Sequence, residues 1–145
     1  MKWSKLVPEL TVSDFSGSLE FYTEILGFEV MFSRPGFVYL EFEGSQLMLE
    51  EFHPDGWNVA GLEKPYGLGV NFQIECSDAD GLRGRLSDYP LYRETEDVWR
   101  DTGDTLTGSR EFLVRDPDGY LLRFSEHLGE RDPAASSDEI KGESR

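Results

Sequence analysis

The sequence predicts an α+β fold made of two tandem βαβββ modules. Three observations carry this reading. Short runs alternate apolar and polar residues with a period of two, two stretches carry helix caps and helical spacing, and the two halves of the chain match each other.

The first strand is read from Val7-Pro8-Glu9-Leu10-Thr11-Val12, with Leu10 and Val12 on one face. Ser13 or Asp14 caps a helix whose Leu19, Tyr22 and Leu26 share a side, and Gly27 stops it. Strands follow at Phe28–Arg34, Phe37–Phe42 and Ser45–Glu51, separated by turns at Pro35-Gly36 and Glu43-Gly44. Residues 52–68, broken by Pro54, Gly56, Gly61, Pro65 and Gly67, read as a connector. The second module opens with a strand at Gly69–Glu75 and a helix at Ala79–Leu86. It continues with strands at Leu91–Trp99, Ser109–Val114 and Tyr120–Glu126, the last two joined by the turn Asp116-Pro117-Asp118-Gly119. Ser13-Asp14 aligns with Ser77-Asp78, which places Leu10 on Ile74. Gly44 aligns with Gly119, which places Leu47 on Leu122 and Leu49 on Phe124. The modules thus span about 5–51 and 69–126 within a domain of residues 1–126, and residues 127–145 read as a flexible tail.

The chain has 145 residues and a net charge of −15, of which the tail contributes −2 and the body −13. Phosphate binding needs clustered Lys and Arg, so this charge argues against nucleic acid and anionic membranes. No apolar run is long enough to span a bilayer and the N-terminus lacks a signal-type apolar stretch, so the expected compartment is the cytoplasm. Cys76 stands alone, which rules out an internal disulfide and a cysteine zinc site and suggests a buried structural residue. No phosphate loop, serine nucleophile elbow or His-Glu-x-x-His pattern is present.

Leu10-Thr11-Val12-Ser13-Asp14 leading to Phe21-Tyr22 and Leu26-Gly27-Phe28, with Arg110-Glu111-Phe112-Leu113-Val114-Arg115-Asp116-Pro117-Asp118-Gly119, resembles the vicinal oxygen chelate superfamily. That superfamily includes glyoxalase I, extradiol dioxygenases and fosfomycin and bleomycin resistance proteins. Val7-Pro8 and the Arg-Glu-Phe run look most like the bleomycin resistance branch. The resemblance implies a curved, cavity-enclosing mixed sheet with helices on the outer face. It also implies a divalent metal held by residues that, carried over, are Val7, Met48, Asn71 and Arg123. Valine cannot ligate, methionine is a soft ligand, asparagine is a weak neutral donor and arginine repels a dication. Neither metal, cofactor nor catalytic residue is therefore expected. His53 in the connector and His127 at the start of the tail stand at no ligand position.

Strand parity assigns Glu9, Thr11, Met48, Glu50, Asn71, Gln73, Glu75, Arg123 and Ser125 to the face opposite the helices. Such polar residues suit either a solvated sheet face or the cavity that the resemblance implies. Trp57 and Tyr66 in the connector, and Trp99 on a strand, are candidates to stack on a flat ligand. Glu94, Glu96, Asp97, Asp101 and Asp104, with Arg93 and Arg100 against them, read as a solvated face or as the rim of a groove for a cation. Arg123 needs a carboxylate such as Glu50 or Glu75 beside it, or else marks a ligand carboxylate or phosphate.

The resulting expectation is a metal-free small-molecule binding protein that sequesters a bulky cationic ligand, on the model of a glycopeptide, in a homodimer groove. Its candidate contacts are Glu9, Met48, Glu50, Trp57, Asn71, Gln73, Trp99 and Arg123. The alternatives are a metal-dependent or otherwise catalytic superfamily enzyme of lyase, dioxygenase or transferase type, and a binding module for another metabolite.

Overall fold

A computed structural model describes residues 2–134. The elements in chain order are strand β1 (Glu9–Val12), helix α1 (Phe15–Glu20) with a π-helical turn (Phe21–Ile25), and strands β2 (Glu29–Arg34), β3 (Phe37–Phe42) and β4 (Ser45–Glu51). Then come β5 (Asn71–Glu75), helix α2 (Ala79–Arg85), β6 (Arg93–Asp101), β7 (Leu106–Arg115) and β8 (Leu121–Arg131). Both halves read β-α-β-β-β, so the duplicated module is present as expected. The chain forms two compact units. Among the described residues the first holds 2–71 and 115–121, the second 72–114 and 122–134.

In the first unit the sheet order is β1-β4-β3-β2. β1 runs parallel to β4, and the β2-β3 and β3-β4 pairs are antiparallel hairpins. Leu10, Val12, Val38, Leu40, Leu47 and Leu49 face one way and are buried with Tyr22, Leu26 and Phe28 from the helical segment and its exit. Burying each such side chain contributes roughly 1.5–3 kcal/mol of gross apolar transfer. Asp14 caps α1 by accepting from the Gly17 amide, and the π-helical turn ends where Leu26 N–H donates to Phe21 O, just before Gly27 turns the chain at φ +92°. The π turn is where Phe21 and Tyr22 enter the core, a detail that helical spacing alone does not signal.

Residues 115–121, which the repeat gives to the second module, are tied into this first unit. The buried Asp116 carboxylate accepts from Tyr22 Oη and from the Asp118 and Tyr120 amides. Asp118, also buried, accepts from both the amide and the hydroxyl of Ser13, and Lys64 Nζ lies 3.4 Å from it. Tyr120 Oη donates to Thr11 O. Gly119 has φ +102° and sits so close to Pro65 that a side chain there has no room.

In the second unit the order is β5-β8-β7-β6, with β6 and β7 antiparallel. Asp78 caps α2 by accepting from the Gly81 amide, the same device as Asp14 and Gly17, and at both glycines a Cβ would collide with the capping carboxylate. Ile74, Leu82, Leu86, Phe112, Val114, Leu122 and Phe124 are buried, as is Cys76. β8 runs past the expected end at Glu126 to Arg131, whose guanidinium lies 3.8 Å over the Trp99 ring. That contact gives the extension a packing partner, so residues 127–131 are strand rather than tail. The expected tail from Ala135 on lies outside the described residues. No helix among the described residues is long and apolar enough to cross a membrane.

Candidate ligand-binding site

The first unit's sheet presents two in-register rows on the face away from its core. One row crosses Thr11, Glu50, Phe37 and Arg34, because Thr11 pairs with Glu50, Glu50 with Phe37 and Phe37 with Arg34. The next crosses Glu9, Met48, Tyr39 and Phe32. A bulge between Val30 and Phe32 shifts the edge strand so that Phe32, not Met31, stands opposite Tyr39. Glu9, Met48 and Glu50, three of the expected contacts, therefore share a face with an aromatic set.

That set is continuous. Phe32 stacks on Tyr39 with centroids 5.2 Å apart and lies 5.9 Å from Phe37. Trp3 meets both Phe32 and Tyr39 edge-on. The buried side chain of Gln46 fixes Trp3 there: it accepts from Ser4 N and Tyr39 Oη and donates to Lys2 O and Glu41. Sequence reasoning missed Trp3, Phe32, Phe37 and Tyr39. Alternation along β3 was the available signal, since Val38 and Leu40 on the core side put Phe37 and Tyr39 on the other.

The carboxyls of Glu9 and Glu50 lie together. Partial loss of hydration, then the charge of Glu50 and a hydrogen bond shared with its carboxyl, push the Glu9 pKa up, and Arg34 opposes this weakly. Neither carboxylate forms an ion pair among the described residues. Arg34 instead spreads its guanidinium over the Phe37 ring at 3.9 Å. The connector reaches this face through a 3.3 Å hydrogen bond between Thr11 Oγ1 and Asn58 Oδ1. Next to Asn58, Trp57 is 96% exposed.

The second unit's sheet carries different chemistry. Asn71, Gln73 and Glu75 on β5 are exposed, and Ser125, expected on the polar face, is buried. Arg123 has neither Glu50 nor Glu75 as its partner: its Nη1 lies 3.8 Å from Glu111 Oε2. Glu111, which sequence reasoning left out, is already bonded by both Nη atoms of Arg100 at 2.7 and 3.1 Å. Register explains why these groups meet, since Glu96 pairs with Glu111 and Arg100 lies on the same parity.

Trp99, expected as a ligand contact, stands in a packed setting. It pairs with Gly108, shares parity with Asp97 and the core side of β6, is buried, and has Arg131 over its ring. Two acids of the acidic stretch are paired with arginines. Glu94 is bonded by Arg83, which holds its pKa well below the carboxylate range at about 2. Asp97 is bonded by Arg110, which also reaches Asp80.

No family model matches the chain. A bleomycin resistance protein of Geobacillus stearothermophilus is 26% identical over 133 residues, covering 84% of this chain and 96% of its own. Among solved structures, a glyoxalase/bleomycin resistance protein/dioxygenase superfamily member from Vibrio splendidus is 36% identical and covers 84% of this chain and 97% of its own, at a TM-score of 0.41. A glyoxalase/bleomycin resistance protein/dioxygenase from Alicyclobacillus acidocaldarius is 22% identical over 89% of this chain and 96% of its own, with a TM-score of 0.57.

The paired βαβββ modules, with a polar sheet face in each, define a protein of the glyoxalase-fold class. In sequence the chain is similar to bleomycin resistance proteins.

The residues at the superfamily's metal positions do not fit a divalent cation. Val7 offers no side-chain donor, Met48 offers a thioether, Asn71 a neutral amide, and Arg123 a guanidinium held toward Glu111. Among the described residues no three His, Cys, Asp or Glu side chains gather to hold a metal ion. His53 and His127 are both exposed.

Proposed function

We propose that the protein binds a small cationic molecule bearing an aromatic group and holds it without transforming it, as the name of its bleomycin resistance relatives suggests. One observation carries this reading: two adjoining carboxyls without a cationic partner, Glu9 and Glu50, border the aromatic set of Phe32, Phe37 and Tyr39. Carboxylates supply charge and aromatic faces supply cation–π attraction, each contact contributing about 0.5–2 kcal/mol. Trp57 and Met48 are proposed contacts on the same unit, with Asn71, Gln73 and Arg123 as proposed contacts from the other half of the chain.

The reading includes a homodimer. The exposed apolar side chains of Trp57, Val59, Leu68 and Val70 support it, because an isolated chain leaves them in water. Sedimentation equilibrium tests this, and a monomer at tens of micromolar overturns it.

Isothermal titration with bleomycin at low and moderate salt tests the ligand. The expected result is saturable binding that weakens with salt and falls about tenfold in Glu50→Gln. Absence of heat at high micromolar ligand overturns the glycopeptide assignment. Because the Glu9 pKa is raised, affinity is expected to climb as pH rises and Glu9 ionises.

A further inference from the structure

We infer that Arg123 is the anchor of an oxyanion site, a place on the second unit where the carboxylate of a small organic acid docks. The argument rests on an imbalance of donors and acceptors. Two guanidiniums converge on one carboxylate: Arg100 saturates Glu111 with both its Nη atoms, and Arg123 lies 3.8 Å from the same Oε2. That distance is an ion pair and too long for a hydrogen bond.

Arg123 makes no hydrogen bond among the described residues, and its Nε–H is buried without an acceptor. Yet its side chain is only 19% exposed, against 22% for Arg100 and 5% for Glu111. Largely buried polar groups are almost always satisfied, and a guanidinium with five donors and no bonded acceptor is an exception that calls for one. Two other carboxylates of the second unit do not supply it. Glu96 shares the parity of Glu111 and acts on Arg100 through its charge alone, and Glu75 on β5 is exposed and forms no ion pair among the described residues.

A planar oxyanion matches the fork of a guanidinium with two parallel bonds. Arg123 is also held by its neighbours before any ligand arrives, which limits the ordering that binding must impose. This inference goes beyond the cation reading above: it shares Arg123 with that reading but needs neither Glu9, Glu50 nor the aromatic set, which carry the cation reading, so either can fail without the other.

The test is an NMR titration of the whole protein that follows the arginine Nε–H resonances, with sodium benzoate as one probe and inorganic phosphate as the other. Benzoate is expected to shift the Arg123 Nε–H signal saturably. Arg123→Gln should weaken binding about tenfold or more, and Lys5→Gln, an exposed charge elsewhere, should leave it unchanged. Saturation by phosphate with no response to benzoate overturns the carboxylate assignment. No saturable shift with either probe, or equal weakening in Arg123→Gln and Lys5→Gln, overturns the site. Arg123→Lys keeps the charge without the fork, so it serves as the folding-conservative control and should recover only part of the affinity.

Discussion

The two units use the same backbone devices and opposite side-chain chemistry. Each helix begins with an aspartate that takes the amide of a glycine three residues on, Asp14 with Gly17 and Asp78 with Gly81. On the sheet faces the likeness ends. In the first unit Glu9 and Glu50 crowd each other beside aromatic rings, and the nearby arginine lies on Phe37 rather than on either acid. In the second unit the equivalent positions are Gln73 and Ser125, and the charges there bind each other through Arg100, Glu111 and Arg123. A duplicated module keeps what folds it, while the exposed face is free to diverge. On the function proposed above, like charges left together serve a ligand, whereas opposite charges brought together hold one another.

The largest expected effect breaks the second unit's network. Glu111→Gln strands two largely buried guanidiniums, and urea denaturation should show a loss of about 3–5 kcal/mol. Glu50→Gln on the first unit should cost under about 1 kcal/mol, because it relieves a repulsion. Equal losses would erase the distinction between the two faces.

The next effect concerns the turn joined to the first unit. Burial pushes the Asp116 carboxyl up to about 6, despite the bonds it accepts from Tyr22 and two amides. The folded state thus holds this proton more tightly than the unfolded chain does. The stability this provides is present below the ordinary aspartate pKa and is lost as pH rises through about 6. Wild type should therefore lose about 2 kcal/mol relative to Asp116→Asn between pH 4 and 7, read as the change in their difference in denaturation free energy. A constant difference across that range contradicts the assignment.

Gly108→Ala comes third. A Cβ there would lie 2.6–2.7 Å from Trp99 ring carbons, so thermal unfolding should report a loss of about 1–3 kcal/mol. The outcome tests the place of Trp99, since a ligand-stacking ring would have freedom to move away and a core ring does not. Smallest is Trp57→Ala, expected within about 0.5 kcal/mol of wild type in stability because the side chain touches little. Any large loss of stability would show Trp57 to be a packing residue.

Much of the fold was legible because its signals are local. Pro35-Gly36 and Glu43-Gly44 bracket β3, and both β3 and β4 match their predicted limits. Alternation also placed Glu9, Met48 and Glu50 on one face. What the sequence did not disclose depends on register between distant strands. Nothing local says that Arg123 meets Glu111 rather than Glu75, or that Phe32 stands over Tyr39 only because of a bulge. The extension of β8 to Arg131 was hidden in the same way, since Gly129 and Glu130 read as coil and the ring that Arg131 covers lies on another strand.

The bonds from Asp116, Asp118 and Tyr120 to Tyr22, Ser13 and Thr11 set an order of events for the chain as it leaves the ribosome. The first unit is not complete when its own four strands have emerged. Until residues 115–121 arrive, the Tyr22 hydroxyl and the Ser13 amide lack their acceptors and the Thr11 carbonyl its donor. A nascent chain stalled after the connector therefore has all four strands of its sheet but lacks the turn that completes the unit, and cutting at the connector takes these bonds from the first half of the duplicated sequence. The repeat is a record of ancestry, while the unit that closes as one body is longer than the repeat.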